Sequence, residues 1–254
     1  MISFGIHRDG RQEARDLLYL PGLHGDSTLV GGFREATRDL GRFLEVGYPR
    51  DGGDDPSSLG AAVAERLDGH VDRPVWIVAE SYGSLVAWEL LRRRADWPRG
   101  SRLLVAGGFV RHPWPAGVQI ARSVGLATPR PLRGFLIDLH RWTLGRLAPG
   151  FPDRPAAWRR FRDARLVPGD AEAMGRRLAA IGTADARDVA GAVTLPVHHA
   201  SGLWDPVVPW GAVRRDLRRG CPGYRGTRLF LRSDHALLVA EPEAVAGWMA
   251  TWTD

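Results

Sequence analysis

The chain contains no lysine, so all 35 of its basic residues are arginine. It has one cysteine, Cys221, which excludes an intrachain disulfide. No apolar run reaches the roughly 18 residues that a membrane-spanning helix needs. The stretch Met1-Ile2-Ser3-Phe4-Gly5-Ile6-His7-Arg8-Asp9 lacks the basic start, apolar centre and small-residue cleavage site of a secretion signal. Together these absences make a cytoplasmic protein the expectation. Internal repeats and low-complexity tracts are missing. So is any recognisable nucleic-acid-binding motif or stacking pattern, and nucleic acid is therefore not an expected partner.

What is present suffices for a folded core. The 254 residues are 44% hydrophobic, which fits one domain with an insertion or two small domains. The net charge of +6 is unevenly spread. From His112 to Ala190 there are 13 Arg against 7 Asp and Glu, so this one segment carries the whole excess. One reading is a solvated helix face in a chain without lysine. The sharper reading is that arginines such as Arg159, Arg160, Arg162, Arg176 and Arg177 attract an acidic substrate or an anionic surface.

The most informative stretch runs from Val75 to Ser84. Val75-Trp76-Ile77-Val78 reads as a buried strand, and Leu85-Val86-Ala87-Trp88-Glu89-Leu90-Leu91 as a helix with apolar residues on most faces. Between them Ala79-Glu80-Ser81-Tyr82-Gly83 must turn within a few residues. Small residues flanking Ser81 let strand and helix approach, which forces the serine onto the tip of the turn in strained geometry with its hydroxyl exposed. This is a nucleophile-elbow pattern, with Ala79 where the first glycine usually stands. A plain strand-to-helix connection with a serine cap is the alternative.

Around this stretch strands and helices alternate. Strands are expected at Ile2–His7 and Asp16–Leu20, joined by the turn-forming pair Asp9-Gly10, and at Arg42–Val46, Arg102–Ala106, Pro196–Ala200 and Thr227–Arg232. Helices are expected at Phe33–Leu40, at Leu59–Leu67 with Ser57 or Ser58 as cap, after the elbow to about Ala95, at Pro209–Arg219 and at Pro242–Trp252. The expected fold class is α/β, a mostly parallel sheet with helices on both faces. Between His112 and Ala190 the alternation stops. Helical stretches remain (Gly134–Leu147, Ala156–Ala164, Ala171–Ile181), which reads as an insertion of residues 112–190 into a core of residues 1–111 and 191–254.

A serine hydroxyl needs a base within reach and a group to orient that base. Asp205, in Ser201-Gly202-Leu203-Trp204-Asp205-Pro206-Val207-Val208-Pro209, lies beyond a strand end, where open α/β sheets carry their ligands. A turn aspartate before proline is the alternative. His235 follows the last strand, at the same sheet edge, and is the base candidate. Its neighbour Asp234 is a rival acid, but adjacent side chains rarely face one another. His198 and His199 lie within a strand, one of them a packed core histidine. His112 either lines a pocket or sits on the surface, and His7, His70 and His140 read as structural or solvent-facing. Oxyanion donors are expected from the Tyr82 N–H and from the glycine-rich loop Pro21-Gly22-Leu23-His24-Gly25-Asp26. Leu23 is favoured there, with Asp26 as the alternative. A plain glycine-rich loop is the remaining reading.

The set Pro21-Gly22-Leu23-His24-Gly25, Tyr48-Pro49, Ala79-Glu80-Ser81-Tyr82-Gly83, Leu203 to Pro209 and Asp234-His235 resembles the α/β-hydrolase superfamily over nearly the whole chain outside the insertion. The resemblance implies an eight-stranded, mostly parallel sheet, a Ser-His-Asp triad and a cap inserted after the sixth strand. It also implies a serine hydrolase, acting on an ester or related acyl bond of a small molecule, with no metal or organic cofactor. Thioesterase, C–C hydrolase and acyl-transfer chemistry, or a non-catalytic ligand binder, remain within the same pattern. Serine at the elbow argues against the aspartate-dependent members. Oligomeric state is not legible.

Overall fold

A computed structural model describes residues 1–7, 15–68, 73–147 and 155–252. The expected Asp9-Gly10 turn and His70 lie outside these residues, as do the side chains of His7, His140 and Leu147.

The strands are β1 (Ser3–His7), β2 (Asp16–Leu20), β3 (Arg42–Gly47), β4 (Val75–Glu80), β5 (Arg102–Ala106), β6 (Val197–Gly202) and β7 (Tyr224–Phe230). They form one sheet in the order β1-β3-β2-β4-β5-β6-β7. Every pairing is parallel except β1 with β3. The sheet thus has seven strands among the described residues, where the resemblance implied eight. The difference lies at the antiparallel edge: a single described strand, β1, precedes β2. The long helical segment accordingly follows the fifth strand.

The central strands read as continuous apolar runs because both faces are covered. Successive side chains of a strand point to opposite faces. Leu18, Leu20, Ile77, Ala79, Leu103 and Val105 therefore enter one core cluster, and Leu17, Tyr19, Trp76, Val78, Leu104 and Ala106 the other. The first face is covered by α2 (Pro56–Leu67), α3 (Gly83–Arg93), α8 (Arg187–Ala192) and α9 (Trp210–Gly220), and the second by α1 (Gly31–Ala36), α10 (Leu237–Ala240) and α11 (Pro242–Ala250). All core helices and strands expected from the sequence are present, with shifted ends. Helix α2 starts earlier than expected, and its cap is Asp55, not Ser57 or Ser58. The Asp55 carboxylate accepts the Ser58 N–H at 3.0 Å and Pro56 opens the helix. Strand β7 begins three residues early because a bulge between Tyr224 and Gly226 lets the strand run through a glycine-containing stretch.

Among the described residues five helices lie between β5 and β6: α4 (Pro115–Ala127), α5 (Arg130–Leu147), α6 (Pro155–Arg165), α7 (Asp170–Thr183) and α8. The sequence reading missed α4. Its glycines dilute the helical signal, and its packing along α7 compensates. Helix α5 carries apolar residues that stay exposed: Phe135 is 60% and Trp142 55% exposed, and Leu136 and Leu139 are exposed too. No described helix is long and apolar enough to cross a membrane.

Candidate active site

The turn between β4 and α3 holds Ser81 at φ +49°, the sole positive φ outside glycine among the described residues. That conformation is costly for an L-residue and persists only where its surroundings impose it. Here the Ser81 N–H donates to the Ala106 carbonyl at 2.9 Å, and the Ser84 hydroxyl donates to the Ser81 carbonyl at 2.7 Å. Gly83 permits the close approach. A Cβ on it would lie 2.2 Å from the Leu20 carbonyl oxygen. Ala79, in the usual glycine position, fits fully buried in the core. The residue as a whole is 8% exposed, with Gly22 against its Cβ and His235 against its hydroxyl.

His235 reaches this serine from the loop after β7. Its Nε2 stands 2.9 Å from Ser81 Oγ and its Nδ1 2.8 Å from Asp205 Oδ2. Asp205, on the loop after β6, has a fully buried side chain whose other oxygen accepts the Val207 and Val208 N–H groups at 2.8 and 2.9 Å. Those two bonds fix the carboxylate so that Oδ2 faces the imidazole. Asp234 is turned elsewhere, accepting the Ala236 N–H at 2.9 Å. Burial lowers the His235 pKa. The Asp205 hydrogen bond and charge, with lesser contributions from Glu80 and Asp234, outweigh it and hold the value above the ordinary histidine range.

The loop after β2 turns tightly, its Gly25 N–H donating to the Gly22 carbonyl at 3.0 Å. Leu23 and His24 occupy the corners of that turn, directly after Gly22, which lies against Ser81. Among the described residues no hydrogen bond inside the turns uses the Leu23 or Tyr82 N–H. The Asp26 carboxylate is engaged by the Thr28 N–H and by Arg165.

These observations, a seven-stranded sheet with a strained serine bonded to a histidine-carboxylate pair, accompany a direct match. Residues 19–248 match the family described as "Alpha/beta hydrolase family". The chain belongs to the alpha/beta hydrolase family. Among solved structures it resembles the esterase EaEST from Exiguobacterium antarcticum, with TM-score 0.76 and 16% identity over 98% of this chain and 94% of that one. It also resembles the enol-lactonase from Burkholderia xenovorans LB400, with TM-score 0.73 and 19% identity over 98% and 95%. A third likeness is to the esterase RhEst1 from Rhodococcus sp. ECU1013, with TM-score 0.72 and 17% identity over 98% and 93%. No curated protein matches the sequence significantly. At such identities the structural likeness establishes the fold alone.

The remaining histidines of this alpha/beta hydrolase divide by environment. His199 is fully buried and bonds Thr227 Oγ1 at 3.0 Å, and His198 stacks on Trp252 at 4.0 Å; burial pushes both pKa values down to about 4. His112 is buried beside the site, not on the surface. Its Nδ1 accepts the Trp114 N–H at 3.1 Å, so the neutral ring carries its proton on Nε2. Burial lowers its pKa, and His235 and Asp205 are among the charges it feels.

Glu80 had no assigned role in the sequence, and Arg177 only the reading shared by five arginines of the inserted segment. Glu80 receives the Tyr19 hydroxyl as a hydrogen-bond donor, and burial raises the carboxyl above its usual range. Arg177 is 1% exposed and touches the loop that carries Leu23. No spacing signal links an arginine on α7 to a loop 154 residues away. A groove of about 570 Å³ between the end of α3, residues 97–101 and residues 188–196 lies at the opposite, amino-terminal ends of β5 and β6, away from Ser81. Among the described residues no group of three or more His, Cys, Asp or Glu side chains could hold a metal ion.

Proposed function

We propose that this hydrolase cleaves an ester or related acyl bond of a small molecule through an acyl-enzyme on Ser81. The observation that carries the reading is the unbroken path from Ser81 Oγ through His235 to the buried Asp205, with both links under 3 Å. His235 Nε2 takes the hydroxyl proton as Oγ attacks the acyl carbon. The carbonyl electron pair moves onto oxygen, where the Tyr82 and Leu23 N–H groups receive it. The tetrahedral intermediate collapses and the leaving group departs with the proton from Nε2. A water then gives its proton to Nε2 while its oxygen attacks the acyl carbon. The second collapse breaks the bond to Oγ, and Ser81 recovers the proton. Asp205 holds the tautomer with Nδ1 protonated and stabilises the imidazolium. No step calls on a metal or an organic cofactor.

Two further observations support the reading. The similar structures named as esterases and as an enol-lactonase have names that point to ester-type bonds. Residues 112–190 serve as a cap over the core of residues 1–111 and 191–254. In support, Phe161 of α6 meets the His24 ring edge-on at 4.7 Å, and Trp158 and Phe161 pack with Leu29. A cap there would shield the acyl-enzyme from stray water. The test combines p-nitrophenyl esters of graded acyl length with a fluorophosphonate probe. Labelling should fall on Ser81, and Ser81→Ala should lose roughly 10⁴-fold or more in kcat while keeping its fold. Wild-type turnover in purified Ser81→Ala protein would refute the assignment.

A further inference from the structure

Arg177 sits in the middle of α7, yet its guanidinium faces the core. Nη1 donates to the Leu23 carbonyl at 2.9 Å and Nη2 to the Pro49 carbonyl at 2.7 Å. Nε lies 3.2 Å from Asp54 Oδ2, an ion pair between side chains that are 1% and 3% exposed. Asp54 in turn offers its backbone carbonyl to the Tyr82 hydroxyl at 2.5 Å. Leu23 and Tyr82 are the two residues read here as oxyanion donors. One guanidinium therefore holds the first directly through its own carbonyl and the second through Asp54. Gly25 makes the seat: at φ +74° it has no side chain, and a Cβ there would stand 2.6 Å from Nη1. Its own carbonyl accepts the Tyr48 N–H at 2.8 Å, so the two loops are also joined behind the arginine.

We infer that Arg177 is a positioning residue that sets the Leu23 and Tyr82 N–H groups to receive the oxyanion, so that the inserted helices are part of the catalytic geometry and not only a cover. The inference rests on the acyl-transfer reading above. Arginine suits the task because its planar fork presents several donors in fixed directions, which an ammonium cannot do. Arg176, the next residue, separates the two contacts. It too pairs with Asp54, at 2.9 Å, and donates to the Arg50 carbonyl at 2.8 Å, but has no bond to Leu23.

The experiment measures kcat and KM for a p-nitrophenyl ester in Arg177→Met, Arg177→Lys and Arg176→Met. Rates are expressed per Ser81 titrated to completion with a fluorophosphonate. Affinity for an aryl boronic acid, whose adduct with Ser81 carries a tetrahedral oxygen, is measured alongside. Misplacing a donor by about 1 Å costs about 10²-fold. Arg177→Met should thus lose about 10²-fold in kcat with KM nearly unchanged, and boronate affinity should fall by a comparable factor. Arg177→Lys should lose about tenfold, again in kcat, and Arg176→Met, which removes a contact to Asp54 and none to Leu23, should lose less than Arg177→Lys. A purely structural role would lower the melting temperature and the titratable fraction but leave kcat per site and boronate affinity intact, and that result overturns the inference. Where Arg177→Met does not fold, Arg177→Lys decides: wild-type kcat overturns the inference and a kcat-only loss supports it. Failure of the underlying reading is seen separately, as activity that survives Ser81→Ala.

Discussion

Replacing Asp205 by asparagine tests the catalytic reading most sharply, because the structure dictates which way the new amide must point. Oδ1 of Asp205 accepts two backbone N–H groups, from Val207 and Val208, at 2.8 and 2.9 Å. The asparagine carbonyl must take that position, since an NH₂ there would oppose two donors inside a fully buried site. The amide NH₂ is then left facing His235 Nδ1 at the 2.8 Å separation now held by Oδ2. It donates to Nδ1, so the ring keeps its proton on Nε2, and Nε2 can no longer accept the proton of Ser81. Such a wrong tautomer costs about 10⁴ in kcat, or about 5.4 kcal/mol at 1.36 kcal/mol per tenfold. The backbone bonds survive, so the melting temperature should change little. The matched control is Asp234→Asn. Its carboxylate serves the Ala236 N–H within its own turn, a bond an asparagine carbonyl can keep, so kcat should stay within about tenfold. Stopped or steady-state ester hydrolysis on titrated enzyme reads both. An Asp205→Asn enzyme within tenfold of wild type, or the reverse ranking of the two variants, would refute the reasoning.

Three further outcomes are expected. His235 must be neutral to act as base, and its raised pKa means that kcat/KM falls as pH drops through a value above the ordinary histidine range. Glu80→Gln removes one of the charges that raise it, so the acid limb of the profile should move to lower pH; an unmoved limb would mean that Glu80 carries no charge at the working pH. Gly83→Ala should destabilise the fold by about 1–3 kcal/mol or more in urea denaturation, since its Cβ would meet the Leu20 backbone carbonyl at 2.2 Å; a stable, active variant would remove the packing account of the elbow. On the charge of the inserted helices, Arg176 and Arg177 are paired with Asp54 and Arg162 with Asp138, which leaves the exposed Arg159 and Arg160 as the candidates of the five without an ion pair among the described residues. If these steer an acidic substrate, only a carboxylate-bearing ester should lose kcat/KM as salt rises from low to high, the Debye length being about 10 Å at 0.1 M; equal responses of charged and neutral esters would assign the charge to the solvated surface.

The amino-acid sequence by itself determined the α/β class and the candidate trio. Val75 to Leu91 encodes strand, sharp turn and helix in adjacent residues, and the chain order Ser81, Asp205, His235 follows from where strands end. Those signals are local, and local signals are legible. Tertiary structure decided what depends on contacts between distant segments. It turned Asp205 and not Asp234 toward His235, since two backbone N–H groups on the following loop fix the orientation of one carboxylate. It surrounded Ser81 with Gly22 and His235, which arrive from the loops after two other strands. Helix α4, weak in its own residues, forms because α7 packs along it. The sequence shows Gly25 only as a loop glycine and Arg177 only as one of many arginines on a charged helix. Their pairing becomes visible when α7 crosses the loop after β2, where a missing Cβ leaves room for a guanidinium that no spacing rule connects to it.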